Sequence, residues 1–325
     1  MTQRVLFLGG TGVISAACVR RVIETGKEVT IVTRGASARP PHPEAHVVTA
    51  DVRSPGVLER IVREREYDAV VDVLGFTPEQ VAQTTDAVRG RCGQYVFVSS
   101  ATVYERPPRT LPVAENAPQA NPHWEYARLK IAAEALLRSR MAEGLPATIV
   151  RPSHTYDDTR PVTLGGWTDL ARISAGEPVF VHDDPTTRWT ITHARDFAVL
   201  FDALLGDPRA VGGAFNVMGE EAPSFLQIYD ELARACGVAE PVLVRVPGER
   251  IADVDARFGE RVLGDHAYSM TFDTSRVRAL APDAQTTVPF AQGAAELVRR
   301  HRAMPPAQQR DPAMDARIEA VLAAA

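Results

Sequence analysis

Five apolar runs in the first half of the chain alternate with helical patterns, and this alternation constrains the fold more than any other feature. Helical spacing of apolar residues separates most of the runs, around Ala16–Glu24, Pro55–Glu64 and Pro78–Arg89. Continuous apolar strands separated by helices are typical of a parallel sheet covered on both faces. The sequence therefore predicts an α/β fold with a Rossmann-type doubly wound parallel sheet. The predicted strands are Arg4–Leu8, Glu28–Val32, His46–Thr49, Ala69–Val73 and Tyr95–Val98.

The second half of the chain loses this regular alternation. One more strand is predicted at Ala147–Val150, after which turns become frequent. We predict a dinucleotide-binding domain over residues 1–157, to which residues 190–218 return. Residues 158–325 are expected to form mainly a smaller C-terminal substrate-binding lobe. The tail after Met304 predicts either a peripheral helix or partial disorder.

A glycine-rich turn, Gly9–Ser15, connects the first predicted strand to the first predicted helix, with the spacing G-x-x-G-x-x-S. Glycines allow a tight turn and a close approach of the backbone to a pyrophosphate, which the free N–H groups of the helix N-terminus then bind. The alternative is a plain turn between strand and helix. We expect the cofactor-binding residues of this turn to be Gly9, Thr11, Gly12, Val13 and Ile14.

The ends of the next three strands predict the remaining cofactor contacts. Arg34 follows the second strand, where an acidic residue would accept hydrogen bonds from the ribose of NAD. An arginine there, with Arg39 close by, suits a 2′-phosphate, so we predict NADP and leave NAD open; a solvated loop arginine is the alternative. Asp51 and Val52 follow the third strand and Leu74 follows the fourth, and all three are expected to border the cofactor. A turn or helix-cap role for Asp51 fits nearly as well.

Tyr126 and Lys130 carry the predicted chemistry. They are four residues apart on a predicted helix, so their side chains lie on one face. A tyrosine titrates near pH 10, and an adjacent ammonium favours its anion, so this pair is suited to proton transfer near neutral pH. Ser100 ends the fifth strand at the edge where open α/β sheets bind ligands, and it is expected to hydrogen-bond the substrate oxygen. Lys130 is also expected to donate to the ribose of the cofactor.

Composition excludes several other classes of protein. The chain of 325 residues has a formal net charge of −5, which gives no electrostatic reason to expect a nucleic-acid partner. No apolar run reaches the ~18 residues of a membrane span, and the glycines interrupt a weak resemblance to an export signal near Cys18. Three separated cysteines without CxxC spacing favour a reducing cytoplasm, and we predict a cytoplasmic protein without a metal site.

Together these motifs resemble the short-chain dehydrogenase/reductase superfamily, in the extended and atypical branches of the NAD-dependent epimerase/dehydratase family. Beside the glycine turn, the matching segments are Ser99–Tyr104, Tyr126–Lys130 and Ile149–Pro152, with a later segment around Arg188 that is similar to a diphosphate-binding region. The resemblance implies that Ser100, Tyr126 and Lys130 form the catalytic triad. It further implies that the substrate is bound by Ser100, Thr102, Tyr126 and Arg188.

Within that family the residues beside Ser100 separate the reactions. Dehydratases carry an acidic pair at the positions of Ala101 and Thr102, neither of which can act as an acid or base, so dehydration is not expected. The same run is similar to that of UDP-galactose 4-epimerases, and we predict epimerisation of a nucleotide sugar through a transient ketone. Net reduction of a keto-sugar or small carbonyl compound is the second expectation, and a non-catalytic nucleotide-sensing or RNA-associated scaffold is a remote third. A homodimer is left open.

Overall fold

The computed structural model describes residues 2–325 of the protein, with a central sheet of seven parallel strands and two two-stranded sheets. The strands are β1 (Arg4–Leu8), β2 (Glu28–Thr33), β3 (His46–Thr49), β4 (Tyr67–Asp72), β5 (Cys92–Val98), β6 (Ala147–Arg151), β7 (His154–Tyr156), β8 (Val179–His182), β9 (Ile191–His193), β10 (Ala214–Asn216) and β11 (Leu243–Val246). The order across the central sheet is β10-β6-β5-β4-β1-β2-β3. Every neighbouring pair in it is parallel, which confirms the doubly wound α/β fold.

Helices cover both faces of this sheet, and α1 and α6 pack together on one face while α2, α3 and α4 cover the other. The helices are α1 (Val13–Glu24), α2 (Val57–Glu64), α3 (Pro78–Val88), α4 (Glu125–Ala142), α5 (Trp167–Ala175), α6 (Ala194–Asp202), α7 (Phe225–Cys236), α8 (Gly248–Val254), α9 (Ala256–Arg261), α10 (Ser275–Leu280), α11 (Phe290–Ala303), α12 (Pro306–Gln309) and α13 (Pro312–Leu322). None of the helices within residues 2–325 has both the length and the apolar character needed to cross a bilayer.

The central strand β1 shows why the apolar runs are continuous. Val5 and Phe7 belong to the core beneath α1 and α6, whereas Leu6 and Leu8 belong to the core beneath α2, α3 and α4. All four side chains are fully buried. Because successive side chains of a strand point to opposite faces, a strand covered on both sides must be apolar at every position. Each such side chain stabilises the fold by about 1.5–3 kcal/mol.

The second half of the chain builds two further apolar cores and contributes one strand to the central sheet. The pairs β8–β11 and β7–β9 form the two small parallel sheets. Strand β10 pairs with β6 at the edge of the central sheet, and α6 packs on α1. We keep residue 157 as the proposed boundary between the dinucleotide-binding domain and the substrate-binding lobe.

The C-terminal tail forms a packed helix. Asp311 caps α13 by accepting hydrogen bonds from the backbone N–H groups of its first turn. Ile318 and Val321 are fully buried against the second lobe. The buried Arg172 donates to Asp315 at 2.7 Å, which ties the helix to α5. Of the two sequence-based alternatives for the tail, the structure therefore contains the helix.

Candidate active site

The glycine turn begins where β1 ends, and two of its glycines are required by close packing. Gly9 has a φ of +88°, a conformation that favours glycine, and a Cβ there would lie 2.8 Å from Cγ2 of Val73. A Cβ on Gly10 would lie 2.7 Å from Ile31. These contacts place the turn directly against β2 and the end of β4. The turn can adopt this path only because Gly9 and Gly10 have no side chains.

Gly12 caps α1 on the open side of the turn. A Cβ there would meet only Oγ of Ser15, at 3.4 Å, so the space in front of the helix N-terminus is free for a ligand. The Ser15 hydroxyl accepts a hydrogen bond from the backbone N–H of Gly12 at 3.0 Å. Thr11, Val13 and Ile14 are half-buried along the same rim. This cradle fits a pyrophosphate, because the N-terminus of a helix attracts anions and a side chain at Gly12 would fill the space.

Two of the other predicted cofactor residues are at the surface beside this turn. Arg34 is exposed, and its guanidinium forms no hydrogen bond or ion pair with any residue from 2 to 325. Asp51 is also exposed and accepts a hydrogen bond from the backbone N–H of Arg53 at 2.9 Å, whereas Val52 is buried. The free guanidinium and the carboxylate are therefore available to a ligand from solvent.

The loop after β4 is held by a buried carboxylate that the sequence analysis did not single out. Asp72 is fully buried and accepts hydrogen bonds from the backbone N–H of Leu74 at 2.8 Å and from the Tyr95 hydroxyl at 2.9 Å. Arg53 donates to the Leu74 carbonyl at 2.7 Å. An aspartate directly after the apolar residues 69–71 was the signal that could have identified this network. Its effect is to fix Leu74 and Gly75 at the carboxyl edge of the sheet.

Ser100 lies at the end of β5, where it begins a short 3₁₀ helix, Ala101–Val103. Its oxygen accepts hydrogen bonds from the backbone N–H of Thr102 at 3.2 Å and from the Thr102 hydroxyl at 2.9 Å. The Ser100 O–H is therefore left to donate. A hydrogen bond from Ser100 to the phenol lowers the pKa of Tyr126 and so favours the phenolate. Thr102 thus orients Ser100.

The phenol of Tyr126 is protonated at neutral pH, since burial raises its pKa above the ordinary value. Its hydrogen bond with Ser100 and the charge of Arg160 oppose this rise, while the charge of Asp265 adds to it. In the free protein Arg160 is a cation whose charge lowers the pKa of Tyr126. The predicted action of Lys130 on the phenolate stays a prediction. A protonated phenol is a proton donor.

Lys130 is buried beneath the tyrosine on α4. Its Nζ donates hydrogen bonds to the carbonyls of Gly75 and Val98, both at 2.8 Å, and lies 5.9 Å from the centre of the Tyr126 ring. Two of its three hydrogens are thereby used, and one is left for a ligand or for the phenolate. Burial lowers the pKa of Lys130 to about 8, although the carboxylates of Asp72 and Glu134 oppose the change. The ammonium is therefore still charged near pH 7.

A largely buried group of polar residues, which we call the polar cluster, lies on the second-lobe side of this site. It consists of Arg106, His154, Asp265 and His266. Nε2 of His154 and Oδ2 of Asp265 are 2.7 Å apart, and the imidazole stacks on Trp189 with ring centroids 4.5 Å apart. Arg106 lies over the same indole, 5.3 Å from its centroid. No sequence motif predicted the cluster, because its members come from three separate segments of the chain.

The polar cluster is attached to the short 3₁₀ helix that follows Ser100. Asp265 and His266 end a π-helical turn, Val262–His266, and such turns are frequent at functional sites. The amide of Asn121 donates to the Thr102 carbonyl at 3.0 Å and to the Gly264 carbonyl at 2.8 Å. The π-helical turn is thus fixed beside Ser100, and Asp265 is close enough for its charge to act on Tyr126.

Three buried atoms of the cluster have no hydrogen-bond partner within residues 2–325: Nε of Arg106, Oδ1 of Asp265 and Nε2 of His266. A buried polar group without a partner is costly unless a ligand or water satisfies it. One ligand atom from each of His154, Asp265 and His266 would lie within 4.8 Å of the others, so these three groups could approach a metal ion. The positive charges of Arg106 and Arg261 near Asp265 oppose a cation there.

The structure does not bring Arg188 together with the catalytic residues. Arg188 is exposed, and its Nε donates to the Ala222 carbonyl at 2.8 Å. The neighbouring Trp189 is the residue that faces the polar cluster. Arg160, which the sequence analysis passed over, is the arginine that acts on Tyr126. No local sequence pattern pointed to this contact.

Comparisons with known proteins agree with this geometry. Residues 5–217 match the NAD dependent epimerase/dehydratase family. The chain is 30% identical over 293 residues to the 2′-dehydrokanamycin reductase of Streptomyces kanamyceticus, covering 87% of this chain and 80% of that protein. It is 27% identical over 255 residues to a chloroplast stem-loop binding protein of 41 kDa from Arabidopsis thaliana, covering 74% of this chain and 65% of that one.

A solved structure shows the same fold. The UDP-glucose 4-epimerase of Bifidobacterium longum, in complex with NAD+ and UDP, superposes with a TM-score of 0.73 at 19% identity, covering 93% of this chain and 99% of that one. The match to the family includes the glycine turn, Ser100, Tyr126 and Lys130. The chain therefore belongs to the NAD-dependent epimerase/dehydratase family and is an NAD(P)-dependent enzyme of the short-chain dehydrogenase/reductase type.

Proposed function

We propose that the protein reduces a ketone on a hydroxylated, sugar-like ring with a nicotinamide cofactor. The observation that carries this proposal is the half-buried phenol of Tyr126 beside Ser100, whose raised pKa keeps it protonated and able to donate a proton. A ketone needs such a donor at its oxygen when it is reduced. The 2′-dehydrokanamycin reductase, with which the chain shares 30% identity over most of its length, supports the same direction.

Each catalytic residue has a distinct part in this reaction. The single O–H of Ser100 donates to the substrate oxygen when the ketone binds, which places that oxygen beside the phenol, and it turns to the Tyr126 oxygen once the phenolate has formed. Tyr126 then gives its proton to the substrate oxygen and becomes a phenolate. That anion is stabilised by the Ser100 hydrogen bond and by the charges of Arg160 and Lys130. The cofactor, when bound, supplies the hydride that completes the reduction.

The residues proposed to hold the cofactor surround the glycine cradle. The pyrophosphate would be held by the turn from Gly9 to Ile14, and Lys130 has one free hydrogen for the ribose. Arg34 favours NADP because its guanidinium is free and exposed beside the turn, where a 2′-phosphate would gain a charge-assisted hydrogen bond. The remaining proposed contacts are Asp51, Val52 and Leu74.

The polar cluster supports a substrate with several hydroxyl groups. Oδ1 of Asp265 accepts hydrogen bonds, Nε of Arg106 donates them, and both atoms are buried without a partner in the described part of the chain. A ring that carries hydroxyls can satisfy a donor and an acceptor together, whereas an apolar ketone would leave both unpaired. We therefore place the ring of the substrate against this cluster, with Thr102 orienting Ser100 beneath it. Arg188 remains a proposed contact only for a substrate that extends to the outer surface.

Epimerisation of a nucleotide sugar is the second candidate. It requires the same Ser100, Tyr126 and Lys130 and no further acid or base, in agreement with Ala101 and Thr102 beside the serine. In that reaction the ketone is a transient intermediate and the cofactor is restored at the end of each cycle. The two functions therefore differ in whether cofactor is consumed.

One experiment separates the two candidates. The purified protein is incubated with NADPH or NADH and a panel of keto-sugars, and separately with UDP-sugars without added cofactor. Cofactor consumption in proportion to the alcohol formed supports the reductase. Isomerised UDP-sugar with no net change in nicotinamide absorbance establishes the epimerase instead. If neither panel turns over although cofactor binds, the proposed substrate class is wrong.

A further inference from the structure

A bridge made by Arg39 crosses the glycine turn. Nη2 of Arg39 donates to Oδ2 of Asp157 and to Oγ1 of Thr159, both at 2.5 Å, and Nη1 donates to the Gly12 carbonyl at 3.2 Å. Arg39 belongs to the loop between β2 and β3, whereas Asp157 and Thr159 follow β7, one on each side of the proposed domain boundary. We call this set of contacts the Arg39 bridge. It joins residues 118 positions apart in the sequence.

The Arg39 bridge is less exposed and has more hydrogen bonds than an ordinary surface ion pair. The side chains of Arg39 and Asp157 are only 27% and 11% exposed. The other oxygen of Asp157 accepts hydrogen bonds from the backbone N–H of Thr159 at 2.9 Å and from its hydroxyl at 2.6 Å. These two hydrogen bonds orient the carboxylate independently of Arg39. A planar guanidinium that meets three oriented oxygens loses little freedom for each hydrogen bond formed.

The Arg39 bridge lies next to the proposed cofactor cradle. The Gly12 carbonyl belongs to the N-cap of α1, next to the open cradle in which a Cβ would meet little. Arg39 therefore links the N-cap of α1 at the cradle to the segment that follows β7. We expect a dinucleotide seated on the glycine turn to pass this link when it leaves for solvent.

We propose that the Arg39 bridge is a clasp that slows release of the cofactor, an inference that rests on the proposed nicotinamide function. Arg39 acts here as a positioning residue, since its guanidinium is already occupied by Asp157, Thr159 and Gly12. Opening of the clasp requires the ion pair to break, so the rate of cofactor release should depend on both partners equally. The ligand that it retains is a nicotinamide dinucleotide, whether or not this carries a 2′-phosphate.

The test measures cofactor release directly from the full-length protein. Protein saturated with NADPH is mixed with a large excess of NADP+, and the loss of nicotinamide fluorescence gives the dissociation rate; NADH and NAD+ are used in parallel. The variants are Arg39→Ala, Asp157→Asn and the double variant. Thermal melting without cofactor verifies that each variant is folded.

A second ion pair provides a matched control. Arg317 and Asp255 in the second lobe are 28% and 13% exposed, nearly the same as the pair in the bridge, and are joined by two hydrogen bonds at 2.5 and 2.8 Å. Arg317→Ala and Asp255→Asn remove an equivalent contact away from the glycine turn. Their dissociation rates should equal that of the wild type.

The clasp predicts that Arg39→Ala and Asp157→Asn each accelerate release about tenfold, the scale of one charge-assisted hydrogen bond at a largely buried site. The double variant should be no faster than either single variant, because both remove the same contact. Release at the wild-type rate in both single variants would overturn the proposal. Faster release in Arg39→Ala alone would also overturn it, by showing that Arg39 grips the cofactor directly.

Failure of the clasp and failure of the proposed function give different results. A wild-type protein that binds neither NADPH nor NADH would refute the nicotinamide function, and the clasp with it. A protein that binds cofactor and releases it faster in both variants supports the clasp even if no keto-sugar is reduced.

Discussion

The buried ammonium of Lys130 should give the protein a stability that increases with pH over the alkaline range. Burial lowers the pKa of this group from 10.5 to about 8 in the folded protein. Between these two values the unfolded chain binds the proton and the folded protein does not. The free energy of unfolding therefore rises with pH across this window, and below about pH 8 the folded protein carries the full cost of the buried charge.

The size of the effect follows from the two pKa values. The complete shift corresponds to about 3 kcal/mol, at 1.36 kcal/mol for each unit of pKa. Between about pH 7 and about pH 9.5 the linkage relation gives a rise of about 2 kcal/mol in the free energy of unfolding. This is a substantial fraction of the 5–15 kcal/mol, roughly, that is typical of a folded domain.

The assay compares wild type with Lys130→Met by urea unfolding at a series of pH values. Because the two proteins share every other titratable group, the difference between their free energies of unfolding reports the titration of Lys130 alone. This difference should change by about 2 kcal/mol in favour of the wild type as the pH rises. The only other lysine in the sequence provides a control: Lys27→Met keeps Lys130 and should retain the full rise. A difference between wild type and Lys130→Met that stays flat with pH would refute the reasoning.

Two further predictions concern ligand recognition. Arg34→Asp should weaken binding of NADPH about fivefold to tenfold and strengthen binding of NADH, because a carboxylate repels the 2′-phosphate and accepts hydrogen bonds from the ribose. Fluorescence titration checks this, and a wild type that prefers NADH would contradict it. Asp265→Asn should raise the KM of a hydroxylated ketone about tenfold with little change in kcat, because the buried side-chain oxygen of the asparagine carries no charge. Steady-state kinetics checks this, and an unchanged KM would show that Asp265 does not bind the substrate.

The fold was predictable from the sequence because its strands are local and covered on both sides. The run from Arg4 to Leu8 is apolar enough to be recognised alone, and its bounds were predicted as the structure has them. The fourth strand was predicted two residues late at its start and one residue late at its end, since Tyr67–Asp72 begins with a tyrosine and an aspartate. Periodicity reports local structure well, but it places strand ends less accurately.

The site was predictable only where its residues share a local pattern. Ser100 ends a strand, and Tyr126 and Lys130 lie on one face of α4, so their proximity follows from short-range geometry. The cation beside Tyr126 is different, because Arg160 comes from a turn after β7 that no local rule directs toward α4. The partners Arg39 and Asp157 are likewise brought together by the tertiary fold alone. Arg188 shows the converse, since its motif did not determine the direction of its side chain.

The central claim is that Tyr126 donates the proton during carbonyl reduction. The most direct measurement compares wild type with Tyr126→Phe for NADPH affinity and for the rate of NADPH consumption with the ketone substrate. We expect a loss of about 10²–10⁴ in kcat, the contribution of one positioned acid, with the cofactor dissociation constant changed less than about twofold. A variant that retains kcat within about tenfold of the wild type would contradict the proton-donor role of Tyr126.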